Sequence, residues 1–183
     1  EVIIDTDEDP TADSTLEELA NARAVFRKDG RVTAGNSCPQ NDGGAAVVVV
    51  SEEKAKELGK KPLLEIVDFA SSGLNPAVMG IGPIFAIQKL LDKTGVSLDQ
   101  VELIELNEAF ASQSIACIRA LGLDPARVNP NGGAIALGHP LGATGAVLTT
   151  KAAYAMQNAE REYCIVSMCV GGGEGAAALF RRP

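Results

Sequence analysis

From Gly43 onward the chain alternates short apolar runs with helical segments, and that alternation restricts it to an α/β architecture. Ala45–Val50, small and β-branched, reads as a buried strand. Ser51 caps a helix with Glu52 and Glu53 in its first turn, ended by Gly59. Leu63–Phe69 reads as the next strand. After a glycine- and proline-rich connection comes a helix over Ile84–Lys93, with Gly95 as its stop. Ser97–Gln100 has capping-box spacing for one turn. Val101–Leu106 is a strand that runs into Asn107 and a helix to Leu121, closed by Gly122. The loop Asn129–Gly142 opens a further helix to Gln157. Tyr163–Met168 and Gly175–Phe180 form an antiparallel pair across the tight Cys169–Glu174 connection. The expected result is a mixed sheet with helices on both faces. Residues Gly142–Met156 carry only one charge, Lys151, so this helix is expected to be buried between two layers.

The residues before Gly43 read differently. Glu1–Arg31 is polar and rich in acids, a solvated loop region with one short helix over Leu16–Ala24 capped by Ser14.

Composition removes several function classes. A net charge of −8 argues against a general nucleic-acid binder, while leaving room for a local basic patch toward a phosphate-bearing ligand. The uncharged stretches Phe69–Gln88 and Val128–Thr150 are too broken by glycine and proline to span a membrane. No charged–apolar–small leader points to secretion. Cys38, Cys117, Cys164 and Cys169 lack CxxC pairing and stand beside a single histidine. That argues against a metal site and for free thiols in a cytoplasmic or organellar-matrix protein. The first residue, Glu1, is not an initiator Met, which fits either processing or a fragment of a longer protein.

Three strand-end loops hold residues suited to chemistry. In Asn107-Glu108-Ala109-Phe110-Ala111, Asn107 is either a helix cap or a ligand-facing amide at a carboxyl strand end. In Asn129–Gly145, His139 stands between Gly138 and Pro140, which stiffens the turn. A phosphate-cradling loop is the rival there, but neither a Gly-Lys-Ser/Thr ending nor a GxGxxG pattern is present. In Cys169-Val170-Gly171-Gly172-Gly173, a thiol precedes backbone N–H groups that could form an oxyanion hole. The alternative is an inert cysteine beside a glycine turn. In a sheet wound this way the three loops can meet at one edge.

Together these blocks resemble the thiolases, enzymes that join two acyl-CoA molecules or split a 3-ketoacyl-CoA. Asn107–Phe110, Gly138–Pro140 and Cys169–Gly173 look like the family's three C-terminal motifs in order, and the resemblance runs from about Gly30 to Phe180. It implies a thiolase-like layered αβαβα fold of two similar halves. Residues 1–40 would be the end of a loop domain over coenzyme A. Residues 41–60 would be the last strand and helix of the N-terminal domain, and 61–183 the C-terminal domain.

The resemblance also implies roles. His139 would activate a nucleophilic thiol and polarise the thioester oxygen. Asn107 would hold a water completing that oxyanion site. Cys169 would move the α-proton, and the Gly171 N–H would stabilise the tetrahedral intermediate. Phe110 and Met79 would line the pantetheine channel with Ala34 nearby. The family's Gly-Asn-Ala-Ser-Gly stands here as Gly35-Asn36-Ser37-Cys38-Pro39, so Cys38 would replace a serine that touches pantetheine.

No residue matches the nucleophile motif, so the nucleophile is expected in an N-terminal half of the same protein, upstream of Glu1. Coenzyme A thioesters are the expected substrates, with no cofactor, nucleic-acid or membrane partner, and a homodimer or homotetramer is the expected assembly. Acetyl-CoA acetyltransferase is the first reading. A long-chain 3-ketoacyl-CoA thiolase and a non-catalytic acyl-CoA or lipid binder are the alternatives.

Overall fold

The strand segments pair into one mixed four-stranded sheet in the computed structural model, which describes residues 2–3, 5–158 and 161–183. Glu1 and Ile4, in the acidic stretch, lie outside the described residues. The strands are β1 (Glu65–Gly73), β2 (Val101–Leu106), β3 (Tyr163–Val170) and β4 (Glu174–Arg181), in spatial order β1-β4-β3-β2. β4 runs antiparallel to both neighbours, and β2 and β3 are parallel. The helices are α1 (Leu16–Asn21), α2 (Glu52–Glu57), α3 (Gly82–Thr94), α4 (Ala111–Leu121), α5 (Ala134–Leu137) and α6 (Thr144–Asn158).

Period-two alternation sorts the strand residues between two cores. Ile104 and Leu106 of β2, Ile165 of β3, and Ala177 and Leu179 of β4 pack with Ala86, Ile87 and Leu90 of α3 and Cys117 of α4. Leu103, Cys164, Val166 and Phe180 face the other way, against Leu148, Ala152, Ala155 and Met156 of α6. The predicted stops hold: Gly95 and Gly122 end α3 and α4 in left-handed conformation, φ 71° and 65°. On the hairpin side, Gly82 and Gly175 pack backbone to backbone, and a Cβ on either would overlap the other strand or helix. The N-terminus of α3 therefore sits directly on the start of β4.

Five expectations are corrected. Ala45–Val50 is no strand: no neighbour pairs with it among the described residues, and Val47–Val50 are exposed. β propensity without a hydrogen-bonding partner makes no strand. β1 starts and ends later than its apolar run, because Ser71, Ser72 and Gly73 pair with Ala176, Gly175 and Glu174. α1 is capped by Thr15, not Ser14. Both stand three residues before a glutamate, but the reciprocal Thr15–Glu18 box forms, and the helix stops at Asn21 because Ala24 bridges to Thr33. Asn107 is not a helix cap, since α4 starts at Ala111 with Phe110 as its N-cap. Ala109 and Phe110 are tied to the preceding segment instead: the Cys38 N–H donates to the Ala109 carbonyl, and extended Phe110 bridges to Ser37.

The fifth concerns α6. One face packs on β2 and β3, but no layer among the described residues covers the other, where side chains are half-buried and Tyr154 is exposed. Thr149 and Thr150 satisfy their hydroxyls within the helix, donating to the Gly145 and Ala146 carbonyls, both at 2.8 Å.

The single charge on α6 anchors it. Lys151 Nζ donates to Glu105 Oε2 at 2.8 Å and to the Gly132 carbonyl, with Glu105 fully buried and Lys151 19% exposed. Burial pushes the Glu105 carboxyl above its usual value, and Lys151 pulls it back. Replacing Lys151 by alanine leaves a buried charge without a counter-ion, at an expected cost of about 3 kcal/mol in urea unfolding at neutral pH. Adding Glu105→Gln should recover most of that loss. The sign of the pH dependence follows from the raised carboxyl. A group with a raised folded pKa favours the fold below its unfolded value and loses that contribution as pH rises. The Lys151→Ala deficit should therefore shrink as pH falls toward 4.

Candidate active site

Parallel strands end on the same edge, and here β2 and β3 deliver Asn107 and Cys169 to it. The Asn107 N–H donates to the Ser167 carbonyl at 2.9 Å, two residues before Cys169. Asn107 is only 1% exposed, and neither its amide oxygen nor its amide nitrogen has a partner among the described residues. A buried amide without partners is costly, so the Asn107 side chain suits a bound water or a ligand atom as its partner.

His139 is placed by its backbone and its ring. Its N–H is shared between the Pro39 carbonyl and Asn41 Oδ1, each at 3.1 Å, and a side chain at Gly138 would overlap Asn41. The Asn41 amide also donates to Asp9. The ring Nδ1 lies 2.6 Å from Thr144 Oγ1, the first residue of α6, and that hydroxyl donates to the Pro140 carbonyl at 2.9 Å. A hydroxyl has one proton. With it committed to Pro140, Thr144 can only accept from the ring, so Nδ1 carries hydrogen and Nε2 presents a lone pair. Burial lowers the His139 pKa below its ordinary 6.5, so the ring is neutral at pH 7. Nε2 is thus a base, and becomes a donor once it has taken a proton.

The segment Thr33–Asn41 stitches the loops together. Ser37 bridges to Phe110, the Cys38 N–H donates to the Ala109 carbonyl at 3.1 Å, and Pro39 and Asn41 hold His139. Cys38 is half-buried there. Burial pushes the buried Cys169 thiol up, its own backbone hydrogen bond opposes this, and the nearby Cys117 and Cys38 thiols add to the rise. Burial also raises Cys38 and Cys117, and pushes Cys164 up to about 12. All four thiols are therefore protonated at neutral pH, and none is an activated nucleophile.

The other predicted residues divide. Phe110 is half-buried on the Asn107 loop, its ring edge-on to Phe26 with centroids 6.2 Å apart. Phe26 belongs to a half-open hollow of about 600 Å³ that also presents Arg23, Arg27 and Lys28. Ala34 is exposed at the start of the 3-10 turn Ala34–Asn36. Gly171 is exposed in the β3–β4 turn. Met79 is half-buried on the 3-10 stretch Pro76–Ile81, which packs on α3, α4, β3 and β4. Among the described residues no cluster of histidine, cysteine or carboxylates could hold a metal, and no helix is long and apolar enough to cross a membrane.

Sequence reasoning missed Asn41, Thr144 and Asn129. Thr144, five residues after His139 at a helix start, carried a usable signal. Asn41, 98 residues away, carried none.

Residues 60–182 match the family description "Thiolase, C-terminal domain", and residues 1–53 match "Thiolase, N-terminal domain". The chain belongs to the thiolase family. It is 52% identical over 178 residues to an acetyl-CoA acetyltransferase of Pseudomonas aeruginosa, covering 97% of this chain and 45% of that protein. It is 48% identical over 178 residues to a 3-ketoacyl-CoA thiolase of Bacillus subtilis, covering 97% and 46%. The fold is the thiolase fold. The crystal structure of the Bacillus anthracis acetyl-CoA acetyltransferase superposes with a TM-score of 0.95 at 47% identity, over 100% of this chain and 46% of that one. Human mitochondrial 3-ketoacyl-CoA thiolase in complex with CoA gives 0.91 at 42% identity, over 98% and 46%. The chain thus spans about half the length of the relatives it matches, and the sheet with its two helical faces corresponds to part of the layered thiolase body.

Proposed function

We propose that this chain supplies the acid/base and oxyanion portion of a thiolase site that makes or cleaves 3-ketoacyl-CoA. The observation that carries the reading is the buried, unpartnered amide of Asn107 beside the Cys169 strand end, with the His139 ring tied to Thr144 in a loop that the Ser37–Asn41 segment links to the Asn107 loop.

The chemistry then divides in two, as covalent catalysis requires. A nucleophilic cysteine outside these 183 residues attacks the thioester. His139 Nε2 accepts its proton, the resulting N–H points at the oxygen that gains charge, and the proton passes to the coenzyme A sulfur as the old C–S bond breaks and the acyl-enzyme remains. Asn107 holds a water at the same oxygen. In the second half-reaction Cys169 moves the α-proton between itself and the carbon that attacks or leaves, while the Gly171 N–H faces the tetrahedral oxyanion. A thiol pushed up by burial suits this role, since it stays protonated to donate and is a strong base once ionised. Cys38, Phe110, Ala34 and Met79 would contact the pantetheine arm. Arg23, Arg27 and Lys28 around the hollow beside Phe26 offer cations to the phosphates of coenzyme A. No cofactor is needed, and a homodimer or homotetramer fits the reading.

Acetoacetyl-CoA is the favoured substrate, although the two subtype relatives differ by only four percentage points of identity (52% against 48%). Steady-state thiolysis against 3-ketoacyl-CoA of increasing chain length checks it, with the highest kcat/KM expected for the four-carbon substrate. A protein carrying both thiolase halves should cleave acetoacetyl-CoA, and the present chain alone should not. No thiolysis by the former removes the reading, and turnover by the latter removes the division of labour.

A further inference from the structure

Asn107 must present its amide accurately, yet nothing among the described residues bonds that amide. Its orientation is therefore set by its backbone. The peptide group that leads into it is held at both ends. The Asn107 N–H donates to Ser167, and the preceding carbonyl, that of Leu106, accepts from Asn129 Nδ2 at 2.8 Å.

Asn129 does more than that. Its Oδ1 accepts from the Leu106 N–H at 2.8 Å, so one side-chain amide satisfies both backbone groups of the residue before Asn107. The same Nδ2 reaches Glu108 Oε1, on the residue after Asn107, at 3.2 Å. Glu108 is in turn fixed by the Ile135 N–H, which donates to Oε2 at 3.2 Å. β2 is the edge strand of the sheet, so the outward groups of Leu106 have no strand to pair with. Asn129 replaces that missing strand with a side chain. To do so it adopts φ 47°, the only non-glycine positive φ among the described residues, with its own N–H donating to Ile104. A left-handed asparagine is tolerated, but it is kept only where surrounding bonds hold it.

We infer that Asn129 is a positioning residue for the oxyanion site, clamping the residues on either side of Asn107 so that its free amide holds the water at the reacting thioester oxygen. The inference rests on the thiolase reading proposed above. Asn129 touches no substrate; it acts through Asn107.

A double-mutant cycle in the protein carrying both thiolase halves tests this. Asn129→Gly keeps the left-handed backbone and removes the clamp, and Asn107→Ala removes the amide. The expected result is an Asn129→Gly loss of about 10–100-fold in kcat for acetoacetyl-CoA thiolysis, with KM for CoA changed by less than about twofold. In the Asn107→Ala background the same substitution should cost less than about twofold. Equal losses in both backgrounds would make Asn129 a structural residue and overturn the inference. So would a loss confined to KM. If Asn129→Gly does not fold, Asn129→Asp, which keeps the acceptor for Leu106 but not the donor, is read through the same cycle with the same criteria. Absence of thiolysis in the unsubstituted protein is a different failure, because it removes the thiolase reading itself and this inference with it.

Discussion

Cys169→Ala in the protein carrying both thiolase halves should lower the condensation of two acetyl-CoA molecules by about 10²–10⁴-fold, the range a lost general base commonly costs. Acylation of the nucleophile by acetyl-CoA should stay within about tenfold, because that half-reaction is assigned to His139 and Asn107. The two are separable: single-turnover trapping of the acyl-enzyme reads the first, and appearance of acetoacetyl-CoA reads the second. Burial raises the Cys169 thiol, so its basic form grows only as pH climbs above the ordinary thiol range. Condensation by the unsubstituted protein should accordingly keep rising with pH where acylation has levelled. Cys169→Ser, which keeps the shape and loses the ionisable thiol, should behave like alanine. Condensation at a near-normal rate in either variant would remove Cys169 from the proton path.

The residues that the sequence placed well are those whose own chemistry decides their conformation. Gly95 and Gly122 stop helices because they alone adopt positive φ there without strain. Val101–Leu106 is a strand buried on both faces, and the segment expected from the sequence has the observed bounds. What failed depended on a neighbour. Ala45–Val50 has the composition of a strand and no partner, and β1 slid toward Gly73 because β4 was there to pair with it.

The site shows the same division. Asn107, His139 and Cys169 were legible as three loops at strand ends, and the parallel β2–β3 pair brings the first and last to one edge. The groups that orient them were not. Asn41 and Asn129 act over 98 and over 21 to 23 residues of chain through side-chain hydrogen bonds, and their types alone suit any turn. Reading Asn107 as a helix cap failed for a related reason. A capping residue and a ligand-facing amide look alike until the helix start is known, and contacts from Ser37 and Cys38 moved that start to Ala111.

His139→Ala is expected to have the largest effect, a fall of roughly 10⁴-fold or more in kcat/KM for acetoacetyl-CoA, since it removes a base worth about 10²–10⁴ and an oxyanion donor worth about 10²–10³. The two contributions belong to one nitrogen at different moments, so they do not add in full. Nε2 must be unprotonated to accept the thiol proton, and protonated to stabilise the oxygen afterwards. That order demands a neutral ring with hydrogen on Nδ1 in the resting enzyme, and the Thr144 hydroxyl, committed to Pro140, enforces it. Thr144→Val removes the acceptor while leaving the volume almost unchanged. It should cost about 10-fold or more in kcat by freeing the ring to flip or change tautomer. The pH profile supplies an independent check. Burial lowers the His139 pKa, so the base form survives below 6.5, and the acid limb of kcat/KM should fall at lower pH than an ordinary histidine would give. In Thr144→Val a methyl takes the place of the acceptor beside Nδ1, and the ring stays half-buried. The protonated ring then loses a partner, and the limb should move further below 6.5. An unmoved limb together with full activity would show that Thr144 does not govern the tautomer, and the sequential base-then-donor role of His139 would lose its structural cause.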